Sequence, residues 1–347
     1  MNGPVLRSVA CVLLGTLFAC GSDDPPPVTG NGSQTFELGT ITVPAHTEDL
    51  SQCVALTLHN TEELYINQVE LTTGPGFHHS NWLWVPDHLF PGTDGVFTCN
   101  DRSYDQTAAG IAGGVFFAQS TQASHEVQQF PDGVALKLPV GAKIVAQIHL
   151  LNSGDDDLSL TPTIGYKVIP LKDVKTKLAS VTFEYHPLAL PSQKQSRFTV
   201  ECDLGPRHQE LFGTSPDFNI YYALAHYHEW GTRLLLEAVA PDGTAATIYS
   251  TEANVGDVLG GMISPAFSMA GYSKLRLSCD YFNDTAQTLR YGNGNGEMCI
   301  FNAFSDSTFN WAGGALDNGD PGTPTNVDGV MSFTHACQVF AVESEKF

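Results

Sequence analysis

The stretch Lys143-Ile144-Val145-Ala146-Gln147-Ile148-His149-Leu150 places Ile144, Ala146, Ile148 and Leu150 on one face of an extended chain, with Gln147 and His149 on the other. A period of two over such a length is the signature of a half-buried strand, and it turns His149 away from the core. The pattern recurs downstream. Phe198, Val200, Cys202 and Leu204 alternate with Thr199, Glu201 and Asp203; Leu275, Leu277 and Cys279 alternate with Arg276, Ser278 and Asp280; Val181, Phe183 and Tyr185 make another such face. Cys202 and Cys279 thereby fall on core faces. Short strands punctuated by Gly, Pro, Asn and Asp predict an all-β chain of two consecutive antiparallel β-sandwich, jelly-roll-like domains with a cleft between them.

The 347 residues suffice for two domains, and 42% hydrophobic content supports packed cores. Asp plus Glu number 37 against 16 for Lys plus Arg, and the net charge of −21 repels phosphate backbones, which excludes a nucleic-acid partner. Only 15% of residues are charged, while 33 Gly and 20 Pro break the chain at short intervals, so a long coiled coil is excluded as well.

The N-terminus carries Arg7 and then the apolar run Val9 to Ala19, about half of the roughly 20 residues a membrane-spanning helix requires. It reads as an export signal. Ala19 before Cys20 is similar to the end of a bacterial lipoprotein signal, so residues 1–19 are expected to be removed and Cys20 lipidated. That anchor would then be the chain's link to a cell-envelope membrane; an ordinary signal peptide with a chance cysteine is the alternative. Residues 20–34, which include Gly21-Ser22-Asp23-Asp24-Pro25-Pro26-Pro27, read as a flexible tether. The folded domains are placed at 35–171 and 172–347, divided at the polar stretch around Leu171-Lys172-Asp173. The segment from Trp311 to Val330 reads as a long loop, either a solvated insertion or, through its carboxylates, a calcium holder.

Of eight cysteines, Cys11 and Cys20 belong to the N-terminal segment, leaving Cys53, Cys99, Cys202, Cys279, Cys299 and Cys337. In an exported chain these allow up to three disulfides, with the pairing open on spacing alone. The absence of any CxxC pair argues against a zinc ribbon or a thioredoxin-like redox site.

The 12 histidines are unevenly placed. His226-Tyr227-His228 follows the strand-like Ile220-Tyr221-Tyr222-Ala223-Leu224-Ala225, and residues two apart on a strand share a face, which suits one metal ion. His78-His79 follows Gly74-Pro75-Gly76-Phe77. Adjacent strand residues point oppositely, so a shared ion there requires a local twist, which the glycines permit. His149 could complete that second set. Met298, in Gly296-Glu297-Met298-Cys299-Ile300-Phe301, separates the candidate metals, because a thioether suits soft Cu(I) whereas zinc prefers His, Cys and carboxylate. Read singly, a histidine is more often a hydrogen-bonded structural or surface residue than a ligand, and a methionine among apolar residues is more often core packing.

Taken in order, His78-His79, His149, His226-x-His228 and Glu297-Met298-Cys299 resemble the ligand set of the type II copper, ascorbate-dependent monooxygenases, the family of peptidylglycine α-hydroxylating monooxygenase and dopamine β-monooxygenase. The resemblance spans nearly the whole folded chain, and Phe130-Pro131-Asp132-Gly133-Val134-Ala135-Leu136 is similar to a further segment of that family. It implies an electron-transfer copper on His78, His79 and His149 and an oxygen-activating copper on His226, His228 and Met298, the latter three being the catalytic set. It implies two coppers per chain, with ascorbate or another small reductant as electron donor. It also implies disulfides joining Cys53 to Cys99, Cys202 to Cys337 and Cys279 to Cys299. Three departures bear on substrate. Leu224 stands where peptide-amidating members carry an arginine for the substrate carboxylate, Asn302 where the animal enzymes carry a tyrosine, and Ser80 where a methionine follows the His-His pair. Loss of the arginine would remove roughly 1.5 to 3 kcal/mol of recognition and argues against C-terminal glycine peptides.

The expectation is therefore an exported copper monooxygenase that hydroxylates a C–H bond of a small organic or peptide-like substrate with O2. A non-catalytic copper-binding or storage surface lipoprotein is the alternative, and a plain adhesive β-sandwich a third reading. Gln147, Glu229 and Glu297 are candidate residues supporting the ligands. The sequence leaves the oligomeric state and the natural substrate open.

Overall fold

The computed structural model describes residues 31–344 except 295, 318 and 320, and within them the chain is built almost wholly of β-strands. The proposed signal, Cys20 and most of the tether lie outside the described residues. One long sheet runs through the molecule in the order 32–37, 163–168, 64–72, 134–138, 176–185, 300–305, 219–226 and 260–268. A five-stranded sheet (order 95–98, 47–57, 142–152, 77–86, 114–118) accompanies its N-terminal half, and a six-stranded sheet containing 194–203, 231–239 and 274–283 accompanies its C-terminal half. Two β-sandwiches result, each with its own apolar core.

The alternations read from sequence are the ones that build these cores. Ile144, Ala146, Ile148 and Leu150 pack with Trp82 and Trp84 in the first; Val181, Phe183, Phe198, Val200, Leu275 and Leu277 pack in the second. Leu171–Asp173 forms a single 3-10 turn. Just beyond it the two halves of the long sheet are joined by parallel pairing of Thr176–Leu178 with Val134–Leu136. Tyr222, Leu224 and Phe304, from the second half of the chain, complete the first core. The sheets are therefore mixed: 309–315 also runs parallel to 176–185, and 330–335 parallel to 194–203.

Trp311 to Val330 is not one long loop. Residues 309–315 form a strand between 176–185 and 338–343, and 325–327 pairs with 330–335. Gly313 and Gly314 lie within the segment read as a loop, and their role is close packing. A Cβ on Gly313 would lie 2.3 Å from the Gln338 carbonyl oxygen, and one on Gly314, at φ +140°, would lie 1.9 Å from that of Glu184. Glycine here admits a strand where a side chain would not fit.

Three disulfides close Cys53 to Cys99, Cys202 to Cys337 and Cys279 to Cys299. They place the folded chain in an oxidising compartment, so the protein is exported. No helix among the described residues is long and apolar enough to cross a membrane.

Substituting Gly314→Ala should cost at least about 2 kcal/mol of unfolding free energy, because the new methyl meets backbone and the backbone angle is strained for any L side chain. Urea unfolding of the variant against the parent measures it, and an unchanged midpoint would remove this account of the 309–315 strand.

Candidate metal centre

His149 does point away from its own core, and what it meets is the second sandwich. It lies opposite His79 in the antiparallel pair formed by 142–152 and 77–86, and directly after that position the register slips, so that Leu150 pairs with Phe77. His78 is the extra residue of this bulge. A bulge puts two residues of one strand against one of its partner and re-aims a side chain, which is how two adjacent histidines come to share a site. Across the seam, the strand Asn219–His226 ends at His226, and Tyr227 and His228 continue as loop rather than strand.

The five imidazoles form one cluster. The ring of His78 lies 4.6 Å from that of His149 and 5.3 Å from that of His228. The ring of His79 lies 4.9 Å from His149 and 4.7 Å from His226, and His226 lies 5.3 Å from His228. Two triads, His78/His79/His149 and His79/His226/His228, each present one nitrogen per residue with all three within 4.8 Å of one another. His79 is common to both. The sequence reading kept the first-domain and second-domain histidines apart; the fold makes them neighbours.

All five side chains are at most 6% exposed, and one nitrogen of each has no hydrogen-bond partner: Nε2 of His78, His226 and His228, and Nδ1 of His79 and His149. Four of the other nitrogens are held. His149 Nε2 donates to Glu48 Oε1 at 2.9 Å, and His228 Nδ1 donates to the Gly296 carbonyl at 3.0 Å. His78 Nδ1 meets the Gln122 side-chain amide at 3.2 Å, and His226 Nδ1 meets Thr121 Oγ1 at 3.4 Å. Fixing one ring nitrogen this way orients the other toward a ligand. Burial drives every one of the five below its ordinary pKa, His78 to about 3, with repulsion from neighbouring rings adding to it for His78, His79, His226 and His228. For His149 the desolvation outweighs the attraction of Glu48. The rings are neutral near pH 7, and because His149 Nε2, His226 Nδ1 and His228 Nδ1 face oxygen acceptors, the unpaired nitrogens of these three rings carry lone pairs.

Met298 is half-buried and tied to this group through Glu297. The wholly buried Glu297 carboxylate accepts backbone N–H bonds from His228 (2.9 Å) and Met298 (3.0 Å) on one oxygen and from Trp230 (2.8 Å) on the other. Burial nevertheless raises its pKa to about 7. Of the other two candidate supports, Gln147 serves its own domain by bonding the Leu50 carbonyl, and Glu229 is exposed. Ser80 accepts from Trp82 Nε1 and donates to Gln119, and Leu224 is core.

Sequence reasoning missed the segment Gln119-Ser120-Thr121-Gln122, which follows the strand Gly114–Ala118 and reads as ordinary polar loop. Gln119, Ser120 and Thr121 are fully buried, and the segment bridges the sandwiches. Thr121 donates to the Tyr227 carbonyl, Leu259 N–H donates to Ser120 Oγ, and Gly256 N–H donates to the Thr121 carbonyl. Glu126 braces it, accepting from Ser120 N–H and Oγ at 2.6 and 2.8 Å. The one available signal was composition: four polar residues in a row between the apolar Phe116-Phe117 and His125.

Two openings reach the cluster. One is a cavity of about 800 Å³ touching Glu48, His78, Gln122 and His228; the other is a groove of about 230 Å³ that ends on His226.

No family model matches the chain, and no curated protein does. Among solved structures, a protein from Parabacteroides distasonis ATCC 8503 is similar over 80% of this chain and 91% of its own, at 8% identity and TM-score 0.20. The PBSX exported protein XepA is similar over 80% and 88%, at 9% identity and TM-score 0.22. The infectious bursal disease virus VP2 subviral particle follows over 81% and 74%, at 11% identity and TM-score 0.20. Likeness at this level carries nothing about the histidines.

Burial raises the Glu126 carboxyl to about 7 despite its bonds to Ser120. Its folded-state pKa thus exceeds its unfolded one, so the folded state holds the extra proton and stability falls as pH rises from about 4.5 to 7. Glu126→Gln should lose that slope and gain roughly 2 kcal/mol on the parent between pH 5 and pH 8. Urea midpoints at the two pH values measure the difference, and parallel pH profiles would refute it.

Proposed function

We propose that the protein is a copper-dependent monooxygenase that hydroxylates a C–H bond with O2 and a small reductant. The observation that carries this reading is the set of five buried, neutral imidazoles, each with one nitrogen left without a partner. An unsatisfied buried polar atom costs about 1 to 3 kcal/mol, and native proteins keep few of them. Five at one point fit a metal better than they fit any structural role. Histidine nitrogens with Met298 as a thioether ligand would suit copper cycling between Cu(I) and Cu(II), whereas zinc would be expected with cysteine or carboxylate.

His78, His79 and His149 would hold one copper; His226, His228 and Met298 would hold the other. Bound copper would supply one-electron chemistry with O2, and the overall change consumes O2, two electrons and two protons for each C–H converted to C–OH, with release of water. The chain's own part is positional. Glu48 and the Gly296 carbonyl set the ring angles of His149 and His228, and Glu297 fixes the backbone between His228 and Met298. The desolvated rings need lose no proton to become ligands. His226 faces the groove, where a substrate carbon can approach, and a small reductant such as ascorbate has the wide cavity by His78 and His228.

Purified protein reconstituted with copper should hold about two ions per chain by elemental analysis, with no requirement for zinc, and should consume O2 when reductant is added. Copper bound without reductant-driven O2 uptake would leave a binding protein and not an enzyme. Met298→Ile should keep most of the copper yet abolish O2 turnover; full activity in that variant would reduce Met298 to a packing residue and overturn the assigned mechanism. Glu48→Ala should weaken copper binding by roughly 10- to 100-fold in a chelator competition, since His149 loses the partner that orients it.

A further inference from the structure

The groove that ends on His226 does not stop where it leaves the histidines. It adjoins a second opening of about 440 Å³, with which it shares the lining residues Val115, Ser180 and Asn310. The outward-facing residues of the strand Thr176–Tyr185 run down it: Thr176 and Ser180 line the outer part, Ser180, Thr182 and Glu184 the inner part. Register fixes its deep end, because Glu184 pairs with Ile300 and Ile300 with His226 across adjacent strands. From Thr176 to Glu184 is eight steps of about 3.3 Å, or about 26 Å.

The two ends differ in chemistry. The outer end gathers Lys137, Lys175 and Lys177, three of the 16 cationic side chains in a chain of net charge −21. Of the acidic groups there, Asp306 accepts from Asn219 and Tyr221, and Glu63 pairs with Lys137 and also feels the charge of Lys177. The inner end is walled by Leu83, Ile111, Phe117, Leu224, Ile300 and Phe340, and Ile111 and Phe340 are 56% and 49% exposed. On its polar floor the Ser180 hydroxyl donates to Asn310, the Thr182 hydroxyl donates to Asn302, and the Glu184 carboxylate pairs with His186. Exposed apolar side chains rimming a furrow mark a site for an apolar partner, and a local cation cluster on an acidic protein selects an anion.

We infer that the two openings act as one furrow that binds a long-chain amphiphile with an acidic head group, its head at the lysine cluster around Lys175 and its hydrocarbon chain leading to His226. This rests on the oxygenase reading for the claim that the ligand is the substrate, in which case oxygen would be inserted toward the methyl end. The absence of an arginine beside the His-x-His pair then has a reason: the acidic group is read at the far end of the furrow and not next to the metal.

The test is calorimetric titration of the full-length protein, as purified and after chelation, with hexadecanoate. One molecule should bind per chain, with hexadecanol and hexanoate each binding at least about tenfold more weakly. Lys175→Glu, at an exposed position, should weaken hexadecanoate about fivefold or more and leave hexadecanol unchanged. Ala312→Trp, on the exposed wall of the inner groove, should abolish both while the urea midpoint stays the same. Equal affinity for acid and alcohol, independence of chain length, or indifference to Ala312→Trp would each overturn the inference. Because binding is read without turnover, the two readings fail separately. Copper uptake with O2 consumption but no hexadecanoate binding removes only the amphiphile; hexadecanoate binding to a protein that takes up no copper keeps the furrow and removes the oxygenase.

Discussion

Five imidazole nitrogens without partners, buried at the meeting of two β-sandwiches, are the constraint around which the rest of this structure is arranged. Hydrophobic burial alone would not place them there, since each forgoes a hydrogen bond to water and gains none from protein. They are held by their second nitrogens and by the backbone around them: a carboxylate for His149, a carbonyl for His228, and side chains of one loop for His78 and His226. An imidazole fixed at one nitrogen and free at the other is a directed lone pair. The packing therefore preserves direction at a cost to stability, which is the usual trade at a functional site.

That arrangement depends on the two sandwiches being one body. A continuous sheet crosses the boundary at Thr176–Leu178, and residues from the second half of the chain finish the first core. Into the seam goes Gln119–Gln122, whose bonds reach Tyr227, Gly256 and Leu259 on the far side. The same segment touches His78 through Gln122 and His226 through Thr121. A shift of either sandwich would be transmitted to both halves of the cluster through this one loop.

The architecture was legible because period-two patterning reports directly on which face is wet. Ile144 to Leu150 gave the direction of His149 correctly, and the strands carrying Cys202 and Cys279 placed both on core faces. Patterning speaks only about a strand's own sheet, however. It could say that His149 leaves its core but not that another domain receives it, and so the histidines appeared as two sets when the fold gathers them into one. The bulge at His78 was foreseeable as a requirement, since adjacent residues cannot otherwise share a ligand, although nothing in Gly74-Pro75-Gly76 located it. Gln119–Gln122 was hidden because a buried polar loop and a solvated one have the same composition; what distinguishes them is the partner across the seam. The segment from Trp311 to Val330 misled for the related reason that glycines needed for close packing, as Gly313 and Gly314 are, look like glycines needed for a turn.

The shared position of His79 has a consequence for how metal and fold are coupled. In the ligand sets proposed above each ion has its ligands within one sandwich, and binding would stabilise each sandwich separately. The cluster also offers a triad that draws His79 from the first sandwich and His226 and His228 from the second. An ion bound by that triad is a link between domains, and its binding free energy is available only when the seam is closed. By linkage, whatever holds the seam closed raises the affinity for that ion, and the ion in turn holds the seam. The buried bonds of Gln119–Gln122 and the Glu297 carboxylate that clamps His228 would thereby act on the affinity for a bound ion without touching it. The furrow leading to His226 is built from strands on both sides of the same seam, so a ligand lying in it acts on the same closed state.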